Sequence, residues 1–336
     1  MLRLRRAVVR SAGGEAGEQQ LTVVLDDGVH PAIADVALVG RCEPGDELIV
    51  NVAARELGLG SGGFDVVHVN LTRGLDREQA AGAHVMKLNY TSLQHAVAPV
   101  EALVPRRGNR LAAGPPIAVI DQHGQLAPVA WAFAQARPGA RLGYVQTVGG
   151  ALPGSHSRTV RELRARNLLA SQITAGAAFG GADGDALTTA GALEYGFERL
   201  GWDAAVCGPG PGIIGSGSPL GHGGLAALDS AHTALALGAR VLVVPRMSSG
   251  DPRASHRPLS HHTRTLLELL LREVTVALPP GEHPSSGRHD WCSHEVDLDA
   301  YASSGLSVEV MGRALPDDPL FFTASLAGGG VLAELV

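Results

Sequence analysis

The sequence predicts an α/β fold, a doubly wound parallel sheet preceded by a small N-terminal β domain, barrel or sandwich. Three observations lead there. The first hundred or so residues carry apolar/polar alternation of period 2, the mark of half-buried strands. From residue 117 the pattern becomes apolar strand, glycine-containing loop and amphipathic helix, repeated, as βαβ crossovers require. Several later strands (Ala118-Val-Ile120, Val241-Leu-Val-Val244) show no polar alternation, which suits a sheet covered on both faces.

In the N-terminal part, residues 1–104, Val67, Val69 and Leu71 alternate with His68 and Asn70. Met86, Leu88 and Tyr90 alternate with Lys87 and Asn89. Leu2–Val9, Leu21–Leu25 and Glu47–Val52 complete the predicted strands, separated by turns at Gly13-Gly14, Asp26-Asp27-Gly28 and Pro44-Gly45-Asp46. Pro105–Pro116 lacks periodicity and reads as a linker. In residues 117–336 the predicted strands are Ile117–Ile120, Leu142–Thr147, Gln172–Ala175, Ala204–Cys207, Val241–Val244, Val274–Leu278 and Ser307–Met311. Helices are expected near 125–136, 157–169, 185–200, 222–237, 261–272, 297–304 and 318–326.

Composition removes several functions. Apolar residues are 45% and charged residues 18%, which excludes wholesale disorder. Lys+Arg 27 against Asp+Glu 33 leaves a net charge of −6, so a nucleic-acid partner is not expected. No apolar run reaches the ~18 residues of a membrane span. The basic start, Arg3 to Arg10, runs into Ser11-Ala-Gly-Gly14 and not into the apolar stretch of a signal peptide. The expected compartment is the cytoplasm, which agrees with three scattered cysteines and no CxxC pair. Lys87 is the single lysine and no Gly-Lys-Ser/Thr exists, so a P-loop is excluded.

Parallel sheets bind ligands beyond the carboxyl ends of their strands. Those ends collect Asp121/His123, Gly149/Gly150, Gly180/Gly181, Gly208–Gly215, Arg246–Asp251 and Gly312/Arg313. The densest stretch, Gly208-Pro-Gly-Pro-Gly-Ile-Ile-Gly-Ser-Gly217, follows a strand and precedes a helix, where backbone N–H groups can cradle an anion. Gly208, Gly210, Gly212, Gly215 and Ser216 are the candidate residues. Gly210, Gly212 and Gly215 spell GxGxxG, but the helix starts near His222, and Arg246 stands where a dinucleotide site needs an acid. Tight strand-to-helix turns would use such glycines without any ligand.

The long connection Arg246–His262 holds an acid, three arginines and three histidines, a poor composition for a spacer. Ser260 is placed to cap the helix that begins at His261, and the helix dipole would keep His261 or His262 neutral. Adjacent helical residues diverge by ~100°, so one of that pair is expected to face the site. Asp251, His256, His261, His262 and Asp121 are the candidate acid–base residues. Arg246, Ser249, Arg253 and Lys87 are candidate anion ligands. Asp251 would orient a histidine; the alternative is that Asp251 and Arg253 pair and pin the loop. The two loops are expected to face each other, because strands consecutive in sequence are usually neighbours. Fourteen histidines raise the question of a metal, but no spacing matches HExxH or a zinc ribbon, and no metal ligands are assigned.

Taken together, Gly58-Leu-Gly-Ser-Gly-Gly63, His84–Thr91, Gly208–Gly217, Asp251-Pro-Arg-Ala-Ser-His256, Ser260-His-His262 and Asp318-Pro-Leu-Phe-Phe322 resemble a bacterial family of unknown function, DUF3866. The resemblance covers nearly the whole chain and implies no activity. It puts emphasis on Lys87, the Gly208–Gly217 loop and the Asp251–His262 loop.

The function expected from the residues is a hydrolase or transferase acting on a small anionic metabolite at the carboxyl edge of the sheet. A metabolite-sensing protein without catalysis is the alternative, with a nicotinamide-dependent oxidoreductase third. The expected partner is that metabolite; a homo-oligomer is left open, and no cofactor follows from these residues.

Overall fold

In the computed structural model, residues 2–14, 17–59, 63–76, 78, 81–104, 110–112, 114–283 and 287–336 are described. Residues 105–109 and 113 of the expected linker, and residues 60–62 of the Gly58–Gly63 motif, lie outside them. The chain divides into two units, Met1–Val97 and Ala98–Val336.

The first unit is a closed five-stranded barrel. Strands β1 (Leu4–Gly13), β2 (Glu18–Leu25), β3 (Gly28–Asp35), β4 (Glu47–Asn51) and β5 (Asp65–Asn70) close in the order β1-β2-β3-β5-β4. β3 and β5 pair in parallel, and the other ladders are antiparallel. The period-2 residues Ala7, Val9, Leu21, Val23, Leu25, Leu48, Val50 and Val67 fill the interior. β3 escapes a sequence reading because Pro31 interrupts it. β5 pairs only with Ala32 and Ile33, so Pro31 sits where the strand has no second neighbour to lack an N–H. Short helices α1 (Val36–Val39) and α2 (Ala53–Glu56) follow β3 and β4, and a hairpin of β6 (Val85–Lys87) and β7 (His95–Val97) ends the unit. The predicted strand at Met86–Tyr90 stops at Lys87, because Leu88 and Tyr90 turn left-handed at φ 49° and 58°.

The second unit is an eight-stranded, all-parallel sheet. Its strands are β8 (Pro116–Ile120), β9 (Leu142–Thr147), β10 (Ser171–Ala175), β11 (Asp185–Ala186), β12 (Ala204–Pro209), β13 (Arg240–Val244), β14 (Thr275–Leu278) and β15 (Asp290–Ser293), in the order β11-β10-β9-β12-β8-β13-β14-β15. The Ser307–Met311 strand is a correction. Only Glu309–Val310 (β16) is extended, and it pairs antiparallel with Arg313–Ala314 (β17) outside the large sheet. Met311 and Gly312 both have positive φ, 53° and 70°, and such a two-residue turn closes a hairpin.

Two helical layers cover the sheet. α3 (Leu126–Ala136), α4 (Arg158–Ala165), α8 (Leu298–Ala302) and α9 (Pro319–Glu334) contribute Phe133, Leu163, Tyr301 and Phe321 to one core. α5 (Thr189–Glu198), α6 (Ala226–Ala236) and α7 (His261–Leu269) contribute Leu193, Ala231 and Leu266 to the other. α9 runs eight residues past the predicted end, through Gly328-Gly329-Gly330. Helix-interior glycine costs ~1 kcal/mol, so a sequence reading stops there. The glycines let the helix close on its surroundings: a Cβ on Gly328 would lie 2.6 Å from Val244, and one on Gly329 would overlap the Val129 carbonyl.

β8 lies between β12 and β13. The helix after β8 (α3) joins one layer and the helix after β12 (α6) joins the other. Chain connections therefore part at these two neighbours and leave a crevice at their carboxyl ends, the usual ligand position in such sheets. The expectation that the strands at 204–207 and 241–244 are neighbours is corrected, since β8 separates them.

Candidate functional site

The glycine loops fit backbone against backbone. A Cβ on Gly149 would overlap the Gly223 carbonyl, one on Gly150 the Gly210 carbonyl, and one on Gly208 the Ile120 side chain. Buried Gln146 fixes the same region, with Nε2 donating to the Ala151 carbonyl at 3.0 Å. Buried Gln172 donates to Gln146 Oε1 at 2.9 Å. Packing thus accounts for the glycines at 208 and 210, both buried, without any ligand. Gly212 takes φ 72°, and nothing would meet its Cβ. Gly212, Gly215 and Ser216 are exposed, and the backbone hydrogen bonds of the loop do not use the N–H of Gly212 or Gly215. Ser216 N–H donates to Gly221 and Gly223 N–H to Ile214, so the run doubles back and delivers His222.

His222 arrives against the loop after β13. Its ring stacks on His262 at 3.6 Å between centroids and 6° between planes. His261 stands nearly perpendicular to both, at 78° to His222 and 75° to His262. His256 lies 4.7 Å from His261 and 5.0 Å from His262, centroid to centroid. Both residues of the His261/His262 pair join the cluster, so the expectation that one faces away is corrected; at the first helical turn an imidazole reaches far enough from either position. Ser260 caps α7 as expected: its Oγ accepts from His262 N–H at 3.2 Å and lies 2.7 Å from His256 Nδ1.

The surroundings of all four imidazoles disfavour the charged form. Burial lowers His256 to about 4, with Arg246 and Arg253 adding to it. Burial, His222 and Arg246 push His262 far down. Burial and Arg246 lower His261. Burial and His261 lower His222, with the Pro219 backbone opposing them. Neither ring nitrogen of His222 makes a hydrogen bond of normal geometry, although both are buried. Arg246 Nη1 donates to His262 Nδ1 at 3.2 Å. Its backbone N–H donates to Thr263 Oγ1, which donates in turn to Asp121 Oδ2 at 2.8 Å. Burial raises Asp121 to about 6, against the pull of Arg246 and Thr263.

Asp251 serves arginines and not a histidine. It is wholly buried and takes Arg253 Nε at 3.0 Å and Nη2 at 2.9 Å, with Arg246 Nη2 at 3.3 Å and Arg313 Nη2 at 3.5 Å. Its role as an acid–base residue is corrected: the paired, loop-pinning alternative is the one adopted. Asp318 anchors the same loop by accepting from Ser248 Oγ, Ser249 N–H, Gly250 N–H and Arg313 Nε. Ser249 is therefore engaged through its backbone, with its hydroxyl 3.4 Å from Asp318. The Arg253 side chain stays 60% exposed.

His123 is buried beside this crevice. Its Nδ1–H donates to the Pro209 carbonyl at 3.1 Å, so Nε2 accepts from Ser157 Oγ at 2.7 Å. This latch ties the loops after β8, β9 and β12 together. Lys87 is buried in the β6–β7 hairpin of the first unit, opposite His95. Among the described residues, His222, His261 and His262 are the group whose ligand atoms, all within 4.8 Å of one another, could hold a metal ion.

A family model described as "Protein of unknown function (DUF3866)" matches residues 31–329, nearly the whole chain. The chain belongs to the DUF3866 family. No curated protein and no solved structure was found to match this DUF3866 chain. Among its described residues, no helix is long and apolar enough to cross a membrane. Sequence reasoning missed His222 and Thr263 as residues of the DUF3866 site, and placed Arg313 at this edge without a role. His222 carried a signal, since it is the polar residue set within the glycines at 221–224; Thr263 carried none.

Proposed function

We propose that this protein is an enzyme, a hydrolase or transferase, acting on a small anionic metabolite at the crevice beyond β8, β12 and β13. The observation that carries the reading is the convergence of four imidazoles beside buried Arg246, in the position where parallel sheets bind ligands. Arg253 uses one edge of its fork on Asp251 and turns the other toward solvent, where it can take an oxyanion. The unused N–H groups of Gly212 and Gly215 add donors near the rim.

His256 is the proton acceptor in this reading. In the tautomer that gives Nδ1–H to Ser260 Oγ, its Nε2 keeps a lone pair. The neutral ring is a weak base in the free protein. An anionic substrate brings the negative charge that the cluster lacks and draws the imidazole back toward the working range. Screening phosphorylated and carboxylated metabolites for thermal stabilisation, followed by turnover assays on the hits, tests the reading. His256→Gln, which keeps most of the buried volume, should abolish turnover and leave the melting temperature nearly unchanged. Retained turnover in that variant would refute it.

A further inference from the structure

We infer that the anion held at this cluster is a tetrahedral oxyanion, a phosphoryl group, and that His222, His261 and His262 supply the N–H donors that recognise it. The inference rests on the functional reading above and narrows its substrate class.

His262 comes first. A guanidinium only donates, so the bond from Arg246 fixes His262 Nδ1 as an acceptor and places its proton on Nε2. Arg246 thereby turns a neutral histidine into a donor of fixed direction. His222 is the second, independent sign of a ligand. The residue is 8% exposed, and neither ring nitrogen makes a hydrogen bond of normal geometry, with only the Pro219 backbone near the ring. A neutral imidazole carries one N–H and one lone pair, and burying them without well-formed hydrogen bonds is unfavourable. A bound oxyanion removes the N–H part of that cost. His261 brings a donor from the perpendicular plane.

Shape selects the anion. The His222 and His262 rings are parallel and the His261 ring is close to perpendicular, so donors arrive from two directions and not in one plane. A carboxylate offers its oxygens in one plane, whereas a phosphoryl group offers oxygens to all sides. One ring nitrogen of each of the three residues lies within 4.8 Å of the others, a spacing that one phosphoryl group can span. Charge agrees: Arg246 and Arg253 stand beside the cluster, and the N-terminus of α7 carries the positive end of its dipole.

The same features tell against a metal ion. Nε2 of His262 is protonated in this arrangement and cannot be a ligand. The two stacked rings, only 6° from parallel, cannot both hold an ion in their planes. The arginines and the helix dipole repel a cation.

Calorimetric titration of the full chain in metal-free buffer tests the inference, with inorganic phosphate, acetate and zinc as separate titrants. Phosphate should bind at least tenfold more tightly than acetate, and His222→Ala should weaken phosphate at least tenfold. His262→Gln keeps an amide N–H near the Nε2 position but removes the imidazole ligand, so phosphate affinity should stay within about threefold. Zinc binding that His262→Gln abolishes, with phosphate binding only when zinc is present, would overturn the inference in favour of a metal centre. Equal binding of acetate and phosphate would overturn the phosphoryl assignment and leave the anionic-substrate reading standing. If phosphate fails to bind while a carboxylated metabolite is turned over in a His256-dependent way, the inference alone falls. If no anion binds or is turned over, both fall.

Discussion

Gly149 and Gly223 meet backbone to backbone, so that a Cβ on either would overlap the other's carbonyl group. This contact locks the loop after β9 onto the segment that carries His222. Gly223→Ala should therefore cost more than about 2 kcal/mol, as overpacking against unyielding atoms does. Gly212→Ala meets open space and should cost only the ~1 kcal/mol of a left-handed alanine. Urea unfolding of the two variants checks the contrast.

Asp251 is the buried counter-charge of the arginine loop. Asp251→Asn leaves Arg246 buried without it, and loss of about 3 kcal/mol is expected. Burial works to raise the carboxyl's pKa, but Arg253 more than offsets this and holds it well below the ordinary 3.8. A depressed carboxyl stabilises the fold above its unfolded value and loses that contribution as pH falls through the folded one. Wild type should thus lose stability on acidification below about pH 4 more steeply than Asp251→Asn. Melting temperatures recorded from pH 7 to pH 2 show whether it does.

Gly329→Ala should destabilise the fold even though alanine is the better helix former by ~1 kcal/mol. The new methyl would run into the Val129 carbonyl, and a backbone atom in a packed helix cannot step aside. Gly330→Ala meets the His294 ring instead, which is partly exposed and can turn away at the expense of its 2.8 Å bond to Glu334. The second variant should melt close to wild type and the first several degrees lower.

Ser260→Ala removes a helix cap, worth about 1 kcal/mol, and frees His256 Nδ1. Once an activity is in hand, kcat should fall by more than the small stability loss accounts for, with KM little changed. Ser260→Thr, which keeps the hydroxyl, should restore most of it. A variant whose kcat follows its stability would reduce Ser260 to a cap alone.

Period-2 alternation made the barrel strands other than β3 legible, and strand–helix alternation did the same for most of the sheet. Apolar β8, β12 and β13 were visible because they are covered on both faces. The edge strands were not: Asp290-Trp-Cys-Ser293 is short and half polar, and Asp185–Ala186 has no pattern at all. The candidate site divides in the same way. The Arg246–His262 loop stood out by composition, and Ser260 by its place before a helix. What Asp251 binds could not be read, because an acid beside an arginine reads alike whether it works or merely pairs. Arg313 and Asp318 reach the loop from more than sixty positions downstream, and only folding brings them there.

The central place of β8 has a consequence for synthesis. Its flanking strands, Ala204–Pro209 and Arg240–Val244, are translated long after it. At ~5–20 residues per second, Pro-Ile-Ala-Val-Ile waits on the order of ten seconds for both neighbours. Until then it is a bare apolar segment with two open edges, the kind of stretch that chaperones shelter and that aggregates when they do not. The strand that will floor the crevice is thus the part of the nascent chain most in need of protection, and the histidine cluster can assemble only after the ribosome has passed residue 262.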